Sequence, residues 1–162
     1  MSKSRFVTAT LTLLALLSLL PAPGVAQSPG LAPQSGHDAS LAKQLGADEY
    51  GMRSYVLVLL RSSSRPVPKG PERDAMFKAH LANIHRLAST GKLVLAGPLD
   101  GGDGLRGLFV FAVKDVDAAR ELVASDPVIT RGEMVAEYHD FYGSAAIMQI
   151  NDLHEHLKKK DF

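Results

Sequence analysis

The sequence predicts an α+β domain of the ferredoxin-like type, with two helices on one face of a four-stranded antiparallel sheet. Three observations predict this fold. Apolar runs and amphipathic stretches follow one another in the order β-α-β-β-α-β. The two middle apolar runs flank a glycine-rich turn, as the strands of a hairpin do. A further amphipathic stretch follows the last run and predicts an extra C-terminal helix.

The first strand and the first helix have the clearest patterns. Arg53–Leu60 is a nearly continuous aliphatic run, which is typical of a central strand. After a polar loop, Pro71–Thr90 has helical periodicity, and its proline suits a first helical turn. His80 falls within the apolar stripe of this helix, so an ionisable ring should face the core. The other members of the stripe are Met76, Phe77, Leu81, Ile84, Leu87 and Ala88.

The remaining elements follow in order. We expect the second, third and fourth strands at Lys92–Ala96, Gly107–Val113 and Glu133–Phe141, with glycines at 97 and 143 breaking the second and fourth. The second helix should begin at Asp115 or Asp117 and end near Ser125, because a residue that precedes proline disfavours helical geometry. The last helix should cover about Ala145–Lys160.

The chain is predicted to carry segments on both sides of this domain. Residues 1–26 have a basic start, the apolar run Phe6–Leu20 and a small-residue stretch ending at Ala26, which is the pattern of a secretory signal peptide. The apolar run is shorter than the roughly 20 residues of a membrane-spanning helix, so cleavage is favoured over an uncleaved anchor. We expect a flexible leader over residues 27–52, in which Leu41–Tyr50 could form a short helix, the folded domain over 53–142 and a helical extension over 143–162.

Composition limits the partners and the location. The chain has 18 basic and 17 acidic residues and no cysteine. The sequence has no basic stripe of the kind that binds nucleic acid. Because there is no cysteine, neither disulfides nor thiol chemistry are possible. The signal peptide predicts a secreted or periplasmic protein, with no membrane partner after cleavage. Because the strands are apolar on both sides, the second sheet face needs cover. We expect a homodimer in which two sheets pack together, although the last helix could instead cover part of the sheet or embrace the partner.

His80 and Asp126 are the candidate catalytic residues. Alone, His80 could be a core histidine bonded to a carbonyl, and Asp126 a helix-ending residue before proline. In this topology, however, the first helix and the end of the second lie on the same side of the sheet. A carboxylate near His80 would fix its tautomer and raise its basicity, which makes a general base that can return the proton.

Three further residues are candidate substrate contacts. His139 lies on the last strand and would join the pocket if it faced the helices, or an interface if it faced a partner. Arg53 and Tyr55, at the start of the first strand, could supply a polar handle for an anionic substrate.

No cofactor or metal site is predicted. The sequence after the signal peptide has no P-loop, dinucleotide-binding fingerprint or nucleophile elbow. The glycine-rich segment Asp100–Gly104 precedes a strand, so it is interpreted as a turn rather than a phosphate loop. His154 and His156 would point in different directions on a helix, as would His80 and His85, so neither pair could share a metal ion.

An ordered set of short motifs resembles the YCII-related family. The motifs are His80-Leu81-Ala82-Asn83-Ile84, the segment Gly91–Leu99, and Asp126-Pro127 with Gly132 after it. The resemblance covers about Arg53–Phe141. It implies the dimeric α/β-barrel variant of the ferredoxin-like fold, similar to muconolactone isomerases, and an active site built on His80 and Asp126. Val128 departs from the aromatic residue that often follows Asp-Pro in the family, so the pocket wall should differ.

The sequence therefore predicts two alternative functions. The first is a cofactor-independent lyase or isomerase in which His80, oriented by Asp126, removes a proton from a small organic molecule. The second is a non-catalytic module of the same dimeric fold that binds a small ligand or another protein. An open pocket at His80 would favour the first function.

Overall fold

The computed structural model describes residues 36–160. The predicted signal peptide and the first part of the predicted leader lie outside these residues. The elements in chain order are α1 (Ala39–Leu45), β1 (Met52–Ser62), α2 (Pro71–Ser89), β2 (Leu93–Pro98), β3 (Leu105–Phe111), α3 (Val116–Val123), α4 (Pro127–Thr130), β4 (Met134–Ser144), a 3-10 turn (Ala145–Gln149) and α5 (Ile150–Leu157).

The sheet has the strand order β2-β3-β1-β4, and every neighbouring pair is antiparallel. With α2 and α3 packed on the sheet, this is the predicted ferredoxin-like architecture. The long strand β1 occupies a central position because its apolar run pairs with β3 on one side and with β4 on the other. Its successive side chains alternate between the two faces of the sheet.

The main core lies between the helices and one face of the sheet. Strand β1 contributes Val56, Val58 and Leu60 to this face, and α2 covers them with Met76 and Leu87. Each of the five side chains is at most 2% exposed. Burying a side chain of this size stabilises the fold by about 1.5–3 kcal/mol, so this layer fixes the position of α2 and of its polar residues.

The C-terminal extension covers part of the opposite sheet face. Ile147 and Met148 pack against Tyr55 and its neighbours on that face. At the sheet edge, the Asn151 side chain donates a hydrogen bond of 2.8 Å to the Leu93 carbonyl of β2. Of the alternatives left open for the last helix, covering the sheet therefore agrees with the structure, while the homodimer stays a prediction.

Two strands continue through the residues that were expected to break them. Strand β2 includes Gly97 and Pro98, which pair with β3, and Pro98 is tolerated because it ends an edge strand. Strand β4 includes Gly143, where an added Cβ would lie 2.6 Å from the Phe141 ring. Gly143 is therefore explained by close packing against Phe141, and it does not end the strand.

The helix boundaries also differ from the expectations. The predicted last helix begins as a 3-10 turn, and its α-helical part covers only Ile150–Leu157. Part of the predicted leader forms α1, which Asp38 caps at its start and Gly46 ends in the left-handed conformation. Of the two aspartates considered for α3, Asp115 is the cap, since its carboxylate accepts the Ala118 N–H at 2.8 Å.

Candidate active site

His80 and Asp126 form a buried pair between α2 and the start of α4. The distance from His80 Nδ1 to Asp126 Oδ1 is 2.8 Å, and the two residues are 8% and 1% exposed. Asp126 is held in place because it also caps α4, where the same Oδ1 accepts the Val128 N–H at 3.1 Å. The closeness that the topology predicted is thus present, and the short helix α4, which the sequence did not reveal, produces it.

Asn83 completes the hydrogen bonds of the Asp126 carboxylate. It lies one turn after His80 on α2, and its Nδ2 donates to Asp126 Oδ2 at 3.0 Å. Arg86, a further turn along, donates to Asn83 Oδ1 at 2.7 Å and so orients the amide. The two carboxylate oxygens thus bind three donors, which hold the His80 ring in one position. The spacing of three between His80 and Asn83 is visible in the sequence, but it predicted no role for Asn83.

The two nitrogens of the His80 ring have different surroundings. Nδ1 faces the carboxylate, so the neutral ring carries its proton there and Nε2 has a free electron pair. Arg53 Nε is the only buried side-chain nitrogen or oxygen in the described residues that lacks a hydrogen-bond partner. Since Nε2 of His80 makes no protein hydrogen bond, it must contact solvent. An outward-facing acceptor fixed by a buried carboxylate is the arrangement of a general base.

Aromatic rings flank His80 on two sides. The Phe77 ring meets it edge-on, with centroids 6.2 Å apart, and the Phe109 ring lies 6.0 Å away at 36°. These rings give the His80 imidazole two apolar neighbours. A small organic molecule with a flat hydrocarbon part would therefore find favourable contacts there.

A second buried carboxylate fixes the wall beyond Phe77. Glu133 is 3% exposed, accepts Arg73 Nη2 at 2.5 Å and binds the Val67 N–H at 2.8 Å. Burial acts to raise the pKa of Glu133, but the Arg73 guanidinium and the Val67 N–H outweigh it and hold the pKa below its usual range. Arg73 lies 4.8 Å over the Phe77 ring, so this pair positions a ring that contacts His80. No sequence pattern predicted a role for Arg73 or Glu133.

The three predicted substrate contacts lie elsewhere. Tyr55 is buried on the other sheet face, where it stacks on Phe141 with centroids 5.9 Å apart, and Arg53 lies 5.3 Å over its ring. His139 pairs with Leu57, which faces the same way as Tyr55, and its side chain is exposed. Of the two alternatives for His139, the structure excludes the pocket on the helix side, and the interface stays a prediction. The structure does not bring Arg53 or Tyr55 to His80.

Two clefts, of about 550 and 230 Å³, also lie away from His80. Both include Ser54 and Lys114, and neither is lined by His80 or Asp126. Within residues 36–160, no group of three or more histidine, aspartate or glutamate side chains is placed to hold a metal ion. In the same part of the chain, no helix is long and apolar enough to cross a membrane.

Comparisons with known proteins identify the family. No curated protein matches the chain. Among solved structures, it is similar to 5-chloro-2-hydroxyhydroquinone dehydrochlorinase from Burkholderia phenoliruptrix AC1100, in complex with 2,5-dihydroxybenzoquinone. The two are 22% identical, the match covers 51% of this chain and 90% of that one, and the TM-score is 0.37. The model of the YCII-related domain matches residues 55–141, which is more than half of the chain, so this protein belongs to the YCII-related family.

Proposed function

We propose that this YCII protein is a cofactor-independent lyase or isomerase in which His80 serves as general base and acid. One observation carries the proposal: His80 Nδ1 is fixed on a buried carboxylate, Nε2 has no protein partner, and two aromatic rings flank the imidazole. A histidine that served the core alone would need no outward-facing acceptor.

The reaction begins when Nε2 takes a proton from an acidic C–H or O–H bond of a small organic substrate. The imidazolium that forms is stabilised by the Asp126 carboxylate 2.8 Å from Nδ1, while Asn83 keeps that carboxylate oriented. In an isomerisation, Nε2 returns the proton to a different atom of the substrate. In an elimination, the electrons of the broken C–H bond form a double bond, the leaving group departs with its electron pair, and the proton is released to solvent.

The test combines a ligand screen with a proton-transfer assay. Aromatic acids, lactones and chlorinated phenols are screened by thermal shift, and compounds that bind are incubated with the protein in D₂O. Deuterium incorporation or product formation is followed by NMR. We expect His80→Gln to lower the rate about 10²–10⁴-fold, the usual contribution of a general base. The matched control is His85→Gln, since His85 is exposed on the same helix and should leave the rate unchanged.

Two results would contradict the catalytic proposal. One is turnover that survives in the folded His80→Gln protein. The other is a ligand that binds equally well to both variants and is never altered. The second result would support the alternative, a non-catalytic binding module, which is favoured by the position of both clefts away from His80.

We further propose that the protein is exported and forms a homodimer. The pattern of residues 1–26 supports export, and the apolar side chains on the second sheet face support association. Cell fractionation with N-terminal sequencing tests the first proposal, with cleavage after Ala26 expected. Light scattering of the mature protein tests the second, and a monomer at micromolar concentration would refute it.

A further inference from the structure

The cleft of about 550 Å³ has the chemistry of an anion-binding site separate from His80. It lies where α1 and the start of β1 meet the end of β3. Its polar lining consists of Asp48, Arg53, Ser54, Lys114 and Tyr142. Met52 adds an apolar side chain, and the ring of Tyr142, which is 54% exposed, adds a flat surface.

Arg53 presents one edge of its guanidinium without partners. Nη1 donates to the Leu45 carbonyl at the end of α1, at 2.8 Å, and the group lies over the Tyr55 ring. These contacts hold the guanidinium in place and leave the edge formed by Nε and Nη2 without a hydrogen bond. Nε is buried, and an unpartnered buried N–H is costly. That edge has the spacing of a carboxylate, which would accept both N–H groups at once.

The surrounding charges favour an anion with a single negative charge. Lys114 is paired with Asp115 at 3.4 Å, so Arg53 is the cation of the cleft that has no carboxylate partner within residues 36–160. Asp48 is itself negative, because the hydrogen bond from Tyr142, followed by that from the Met52 N–H, holds its pKa below the usual range. A ligand with two negative charges would be repelled by Asp48.

We propose that this cleft binds a small organic monocarboxylate through the Nε–Nη2 edge of Arg53. The carboxylate enters beside Nη2 and engages Nε after a small rotation of the guanidinium. The hydrocarbon part of the ligand rests on Met52 and the Tyr142 ring. The site is independent of the His80 pair, since the two share no lining residue.

The experiment follows the side-chain Nε–H resonance of Arg53 by ¹H–¹⁵N NMR in the mature protein. The probes are sodium benzoate and inorganic phosphate, each compared with chloride at equal ionic strength. We expect benzoate to shift this resonance and the backbone amides of residues 112–114 in a saturable way. Phosphate at pH 8, where it is largely a dianion, should bind at least about tenfold more weakly, a difference of about 1.4 kcal/mol.

Two variants separate the effect of the planar Arg53 guanidinium from the effect of its positive charge. Arg53→Lys keeps the charge but loses the planar edge, and it should weaken benzoate binding about tenfold or more. The matched control is Arg65→Lys, because Arg65 is an exposed arginine outside the cleft. If Arg53→Lys fails to fold, the wild-type Nε–H resonance alone still decides the question.

Three outcomes would overturn the proposal. They are the absence of a saturable shift at the Arg53 Nε–H, equal benzoate affinity in the folded Arg53→Lys protein, and shifts confined to the His80 ring. The last outcome would place the carboxylate in the other site, so it would remove this proposal and leave the catalytic one standing.

Discussion

Exchanging the side chains of Asp126 and Asn83 would separate the structural role of their hydrogen bond from the role of the buried charge. Asp126→Asn keeps an oxygen where Oδ1 receives His80 and Val128, but it places an NH₂ group against the Asn83 amide. Asn83→Asp places two carboxylates against each other. The double exchange restores one donor and one acceptor at the 3.0 Å contact, with their direction reversed.

The magnitudes follow from these contacts. Asp126→Asn loses a hydrogen bond to a charged acceptor and leaves buried donors opposed, which should lower the free energy of unfolding by about 2–3 kcal/mol. Asn83→Asp should cost at least about 2 kcal/mol through like-charge repulsion, although Arg86 offsets part of it. The double variant should return to within about 1 kcal/mol of the wild type, which gives a coupling energy of at least about 3 kcal/mol.

Urea denaturation at pH 7 measures the free energy of unfolding of the four proteins in this cycle. In a thermal melt, a loss of 1 kcal/mol corresponds to about 4 °C in Tm for a domain of this size. The functional arm is the proton-transfer assay. In the double variant the negative charge no longer touches His80, so the rate should stay low although stability returns. Stability losses that simply add would refute the hydrogen-bond geometry, and a fully recovered rate would refute the electrostatic role of Asp126.

Three further predictions concern other parts of the fold. Glu133→Gln should lower the free energy of unfolding at pH 7 by about 1–3 kcal/mol, because an uncharged amide is a poorer partner for Arg73. The folded state lowers the pKa of Glu133, so this stabilisation is complete above the unfolded-state pKa and is lost as pH falls through the folded-state value. Between pH 7 and pH 3, the free energy of unfolding of the wild type should therefore fall toward that of the variant. A difference that stays constant with pH would contradict this assignment. Tyr55→Phe removes a 2.9 Å hydrogen bond to the Ser144 carbonyl and should cost about 1 kcal/mol by urea denaturation, with no change in proton transfer. Asn151→Ala should raise hydrogen exchange in α5 without affecting β1, since it frees the extension from the edge of β2; equal exchange would show that the contact does not anchor the helix.

The elements with long periodic patterns could be predicted from the sequence, together with the meeting of His80 and Asp126. Helix α2 and strand β1 are long enough for their apolar spacing to define both type and direction. Helix α4 could not be predicted, because its four residues are too few to show a period. Asp126 caps this helix by accepting the Val128 N–H, and the same oxygen faces His80 Nδ1. The topology predicted that the two residues lie close together, and the cap of α4 adds a bond that orients the carboxylate.

The faces assigned to the β1 and β4 residues show where sequence patterns lose information. A strand that alternates apolar and polar residues reveals its buried side, but β1 is apolar on both sides, so its sequence does not show which face the helices cover. The face on which Arg53 and Tyr55 lie could therefore not be predicted, and for His139 on β4 two alternatives were left open. The structure places these residues opposite the helices. The two candidate sites thus lie on opposite sides of one strand and share no side chain, so substitutions in one should act additively with those in the other.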